Sequence, residues 1–63
     1  MRYMVTAIFA DDDVENRTTG DYAVALNRAQ TYLSEYDGVY VSITDVDTDK
    51  VIWDSLGLTL PSY

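Results

Sequence analysis

The hexapeptide Val14-Glu15-Asn16-Arg17-Thr18-Thr19 decides the topology of this chain. It carries one apolar side chain and lies between two segments of clear character. As a loop it leads the chain from a strand straight into a helix. As a strand it pairs with the strand before it and reverses the direction of all that follows. The reading adopted is a loop, part of a polar, breaker-rich stretch over 11–20, with an extra short strand at 14–19 as the alternative.

On its N-terminal side, Tyr3-Met4-Val5-Thr6-Ala7-Ile8-Phe9-Ala10 is rich in β-branched and aromatic side chains and stops at Asp11-Asp12-Asp13, which strands avoid. Apolar groups fall on both faces, Tyr3, Val5, Ala7 and Phe9 on one and Met4 and Ile8 on the other. An inner strand, or one with a partly covered back face, is therefore expected. On the C-terminal side, Tyr22, Leu26, Ala29, Leu33 and Tyr36 recur at alternating spacings of four and three, with Ala25 and Tyr32 beside them. That pattern predicts one amphipathic helix over 21–36. Thr18, three residues before Asp21, forms a loose variant of the capping box. Asp37-Gly38 supplies the stop, Gly38 being able to take positive φ.

Residues 39–45 alternate, Val39, Val41 and Ile43 against Tyr40, Ser42 and Thr44, as a half-buried strand does. Val51-Ile52-Trp53 repeats the signal, and the residues between fit a hairpin with Asp49 at the position where glycine would take positive φ. The expected fold is α+β: one helix on a mostly antiparallel three-stranded sheet in the order β-α-β-β, a single domain over 1–63. Residues 55–63, with Leu56, Leu58 and Leu60 at period two before Pro61, read as an extended C-terminal tail packed over the helix or sheet edge, or joining another copy or a partner by strand addition.

The chain has 63 residues, eleven Asp and Glu against four Lys and Arg, a net charge of −7, no His and no Cys. Disulfides and thiolate or imidazole metal sites are thereby excluded. With 48% hydrophobic residues the acidity does not signal disorder. The apolar run at the start is too short for a secretory signal and leads into three Asp, and no stretch approaches the ~20 apolar residues of a membrane span. A cytoplasmic protein is expected.

With 14–19 as a loop, the turn after strand one and the hairpin share one end of the domain. Asp11, Asp12, Asp13, Glu15, Asp21, Asp45, Asp47 and Asp49 would then converge on a single pole, opposed only by Arg17 and Lys50. Asp45-Val46-Asp47-Thr48-Asp49 superficially matches the opening of a calcium loop, but the sixth position is Lys50 where Gly is needed, and the twelfth is Leu56 where Glu is needed. The match fails at both discriminating places. Paired carboxylates for acid and base work need one of them desolvated, and every candidate here sits in a loop expected to be wet; with neither His nor Cys there is no visible base or nucleophile, so no enzyme and no cofactor is expected.

What remains is binding. A compact acidic surface is attracted to basic grooves that hold nucleic acid, and occupies them in its place. The expected contacts are Asp11, Asp12, Asp13, Glu15, Asp45, Asp47 and Asp49, with Tyr40 and Trp53 adding buried area. The expected partner is a basic nucleic-acid-binding protein or complex, with no direct contact to nucleic acid or membrane. The alternatives are an assembly module that dimerises through a sheet edge or the tail, and adaptation to high salt, suggested by nine Asp and a single Lys.

The lone helix over 21–36, the hairpin Ser42-Ile43-Thr44-Asp45-Val46-Asp47-Thr48-Asp49-Lys50-Val51-Ile52-Trp53 and the acidic balance of so short a chain resemble small phage-encoded inhibitors of host machinery, among them anti-CRISPR proteins. The resemblance is one of style over the whole chain and rests on no motif. It implies an inhibitor that mimics nucleic acid in the host cytoplasm, and it transfers no residue roles.

Overall fold

The alternating apolar residues of the first strand place it at the centre of a sheet, with a partner on each side. In the computed structural model, which describes residues 1–57, the elements are β1 (Tyr3–Ile8), β2 (Val14–Thr19), α1 (Tyr22–Glu35), β3 (Tyr40–Asp45) and β4 (Lys50–Asp54). The sheet order is β2-β1-β3-β4 and every neighbouring pair is antiparallel. The fold is α+β, one helix on a four-stranded sheet. Residues 55–57 form a turn, and the rest of the expected tail, 58–63, lies outside the described residues.

Residues 14–19 are thus a strand and not the expected loop. Five of their six side chains are exposed, so hydrogen bonding and not burial holds the strand in place. β3 takes one edge of β1, and β2 satisfies the other. The β1–β2 turn is a three-residue hairpin loop: Asp12 N donates to Phe9 O at 2.9 Å and Phe9 N to Asp13 O at 2.8 Å, with Asp12 at φ 69° in the position glycine usually fills. Asp13 N donates to Asp11 Oδ1 at 3.1 Å, and across the pair Thr6 Oγ1 donates to Asn16 Oδ1 at 2.8 Å.

This extra strand reverses the later chain. Tyr3 pairs with Asp45 and Ile8 with Tyr40, so the 46–49 hairpin lies at the start of β1 while the 10–13 turn lies at its end. The two acidic loops are separated by the length of β1, roughly 17 Å for five strand steps. The single acidic pole expected from the sequence does not form.

Val5, Ala7, Val41 and Ile43 face α1 and are fully buried with Ala25 and Ala29. Two alanines at the contact allow the helix to lie close to the sheet. The centre of the helix face is therefore the Ala25–Ala29 row, while Tyr22, Leu33 and Tyr36, which share the apolar pattern, stand at its exposed margin. Tyr22 packs edge-on against Tyr3 with centroids 5.4 Å apart, and Tyr36 against Phe9 at 4.9 Å, so an aromatic contact closes each end of the core. Asp21 itself caps the helix, Oδ1 accepting from Ala23 N at 2.9 Å, and Thr18 takes no part. Beyond the helix, Gly38 adopts φ 72° as expected.

β4 carries a bulge: Ile43 pairs with Trp53 and Thr44 with Val51, leaving Ile52 as the extra residue. The hairpin loop has Asp49 at φ 57°, as its position in the sequence predicts. The sheet face away from α1 presents Met4, Thr6 and Ile8, Val14 and Asn16, Tyr40, Ser42 and Thr44. Among the described residues no element covers it.

Candidate functional site: two unequal acidic ends

The end formed by the 10–13 turn also receives the C-terminus of α1, because the chain descends β2 and climbs the helix. Asp11, Asp13, Glu15 and Asp37 surround Phe9 and Tyr36 in a shallow depression of about 490 Å³. Asp12 at the turn and Glu35 in the last helical turn bring the carboxylates around this end to six, opposed by Arg17 beside Glu15 and by Arg28, which lines a cavity with Glu15 and Glu35. The last turn of α1 contains no basic residue, so the negative end of the helix dipole adds to the field.

Glu15 is the best positioned of the six. Its Oε1 accepts from Tyr32 Oη at 2.8 Å and lies 3.7 Å from Arg17 Nη2. Burial, reinforced by the hydrogen bond to Glu15 and opposed by Arg17, raises the Tyr32 pKa, so the phenol stays protonated as donor. Asp11 is held by Asp13 N. The carboxylates of Asp12, Asp13 and Asp37 make no hydrogen bond among the described residues and are exposed.

The opposite end differs in kind. Asp45 is only 7% exposed, and its Oδ1 accepts from Asp47 N at 3.0 Å to form the hairpin turn. Asp21 is engaged as the helix cap. Val46 N donates to Arg2 O at 3.0 Å, which brings Arg2 beside the hairpin, and Lys50 pairs with Asp45. Four carboxylates thus meet two basic side chains, and two of the four serve the fold. Asp47 and Asp49 alone stand free toward solvent.

The residues expected to act together fall into separate groups. Asp11, Asp12, Asp13 and Glu15 share one end; Asp45, Asp47 and Asp49 occupy the other. Tyr40 lies on the open sheet face, its hydroxyl donating to Asp54 Oδ2 at 3.1 Å, with its pKa raised by burial and by that bond. Trp53 lies on the helix side beside Ile43, packed against the core. Tyr40 and Trp53 therefore share no surface with each other. Phe9, Glu35, Tyr36 and Asp37 belong to the first end but do not stand out in the sequence, where Asp37 reads as a helix stop and Tyr36 as core. Their signal is conditional: once 14–19 is a strand, the helix must end where the first turn lies.

Compared with protein-family models, with curated proteins and with solved structures, the chain matches none at a significant level. What the acidic ends bind is then a question for their own chemistry. Among the described residues no three metal-capable side chains converge, and no helix is long and apolar enough to cross a membrane.

Proposed function

We propose that this is a small non-catalytic binding protein that inhibits a nucleic-acid-binding protein or complex by occupying its basic surface. The supporting observation is the end that carries six carboxylates against two arginines, at the negative pole of the helix, around the rings of Phe9 and Tyr36. Carboxylates there stand where phosphates would lie on the partner, and the long-range field accelerates encounter with a positive groove. A partner's Arg or Lys entering the depression would meet carboxylates at its charged tip and aromatic rings along its stem. The reading narrows the contact surface to Asp11, Asp12, Asp13, Glu15 and Asp37, and moves Asp45, Asp47, Asp49, Tyr40 and Trp53 away from its centre. In keeping with the resemblance to phage inhibitors, the target would be a cytoplasmic defence complex of the anti-CRISPR type.

The test is competition. Basic proteins of a bacterial lysate are held on immobilised DNA at about 50 mM salt, and the purified chain is added. The native chain should release a specific subset, and the release should weaken steeply toward 200 mM salt. The variant D11N/D12N/D13N should release little, and D47N/D49N should behave as the native chain. Equal release by all three, or none by the native chain, would overturn the reading.

A further inference from the structure

β2 ends the sheet on one side, and apart from the charges of Glu15 and Arg17 its edge lacks the features that usually keep such an edge from pairing. The register with β1 is unbroken from Val14 to Thr19, without proline, lysine or bulge. The other edge strand, β4, has the bulge at Ile52. Because Phe9 N donates to Asp13 O, Phe9 and Asp13 form a hydrogen-bonded pair, and the alternation of an antiparallel ladder fixes the rest. Glu15, Arg17 and Thr19 turn their backbone groups toward β1. Val14, Asn16 and Thr18 turn theirs outward, to an edge that no strand among the described residues pairs with.

We propose that two copies of this chain pair through β2, antiparallel, about a two-fold axis at Asn16. An antiparallel mate must set outward residues opposite outward residues, which leaves three symmetric registers, centred on residues 15, 16 or 17. Centring on Glu15 places two glutamates face to face, and centring on Arg17 places two arginines face to face. Centring on Asn16 sets Glu15 opposite Arg17 of the second copy, twice, and sets Val14 opposite Thr18 of the second copy, also twice. The Glu15 and Arg17 pairs fall at the non-hydrogen-bonded positions, where side chains approach most closely. Charge thus selects one register, the one that also uses the most backbone groups, about six new hydrogen bonds.

The surroundings agree. Along the flank of α1 above β2, Arg17 and Arg28 stand with Glu15 and Glu35 around a cavity of about 530 Å³, so the charge beside the proposed seam is balanced. α1 lies mainly over β1 and β3, so in the eight-stranded sheet the two helices would stand roughly 20 Å apart, about four strand spacings. They would flank a groove and would not collide. The 10–13 turns point in opposite directions, away from the two-fold axis, and Glu15, the carboxylate nearest the axis, faces Arg17 of the second copy. The pair would present two binding ends per particle.

Sedimentation equilibrium on the full chain tests this. The native chain should be dimeric at micromolar to tens of micromolar concentrations. R17E, which sets Glu opposite Glu, should weaken the dimer at least about tenfold, and the exchange E15R/R17E, which restores opposite charges, should recover it. Asn16→Pro removes an outward N–H that no strand of the monomer uses, and should give a folded monomer by circular dichroism. A monomeric native chain, a dimer untouched by Asn16→Pro, or an exchange variant no better than R17E would overturn the proposal. D11N/D12N/D13N should leave the dimer unchanged and Asn16→Pro should leave release of DNA-bound proteins intact at the level of each protomer, so the two proposals fail separately.

Discussion

Asp12 should be replaceable by glycine with a gain in stability. Its φ of 69° lies in the left-handed region, which costs an L-residue about 1–2 kcal/mol, with Asp toward the lower end. Glycine removes that cost but loses about 0.5 kcal/mol or more through the greater freedom of the unfolded chain. The carboxylate makes no hydrogen bond among the described residues, so its removal forfeits none, and taking one charge from a group of six returns a few tenths of a kcal/mol. The net expectation for Asp12→Gly is a gain of about 0.5 kcal/mol, or about 2–4 °C in Tm for a domain of this size. Asp12→Asn separates the two contributions, since asparagine keeps the tolerance for positive φ and loses only the charge. Its gain should be a few tenths of a kcal/mol at 20 mM salt and vanish at 1 M, where screening acts within ~3 Å, whereas the glycine gain should persist. Thermal and urea unfolding followed by circular dichroism at both salt concentrations measures this. If Asp12→Gly is no more stable than Asp12→Asn at 1 M salt, the strain assigned to this turn is absent.

Gly38 has φ 72° and room for a methyl group, whose nearest neighbour would be Ala10 Cβ at 3.5 Å; Gly38→Ala should therefore lose about 1 kcal/mol through backbone strain alone, and Gly38→Asn less, both read from urea midpoints. Ile43 is the largest fully buried side chain, and Ile43→Ala should cost about 2–5 kcal/mol, comparable with the whole stability of so small a domain, so its far-ultraviolet spectrum at 25 °C should be that of a largely unfolded chain. Tyr40→Phe removes the bond to Asp54, whose carboxylate is 9% exposed, and should lose about 1–2 kcal/mol at neutral pH. Tyr32 and Tyr40 both have folded pKa values raised above the ordinary 10.0, so above pH 10 the unfolded chain releases its protons first. Their contribution is complete below pH 10 and falls as pH rises through the folded values; Tyr32→Phe and Tyr40→Phe should each flatten that alkaline decline in a pH series of melts.

Most elements follow from side chains alone. β1, α1 and β3 bury apolar residues at the period proper to each, and Gly38 and Asp49 take positive φ where their turns require it. β2 is different because nothing in Val14-Glu15-Asn16-Arg17-Thr18-Thr19 needs burial. Its reason lies in another segment, the unsatisfied edge of β1, and a backbone requirement leaves little trace in side-chain pattern. The candidate site inherits that difficulty. Asp11, Asp12 and Asp13 are conspicuous as a run, yet whether they face the 46–49 hairpin or the end of the helix is decided by this one strand. Asp45 illustrates a second limit: as a carboxylate in an acidic hairpin it reads as a contact, while its 7% exposure and its bond to Asp47 N make it part of the turn.

The two ends also differ in how well their charges suit the local structure. At the hairpin end, Asp21 caps the positive end of α1, Asp45 completes a turn, and Arg2 and Lys50 lie close by; the departure from local preference is Asp49 at positive φ. At the other end the departures accumulate. Asp12 sits where glycine is favoured, Glu35 and Asp37 stand at the negative end of the helix dipole where cations are stabilising, and six carboxylates share the space with two arginines. Each costs tenths of a kcal/mol to about 1 kcal/mol in a domain with little to spare. Unfavourable local choices gathered in one place mark a surface shaped by something other than stability. A bound basic partner would account for the concentration of strain and charge at the 10–13 turn, and the opposite result is specific: if neutralising Asp11, Asp12 and Asp13 stabilises the fold without weakening any binding, the acidity of that end has no partner to explain it.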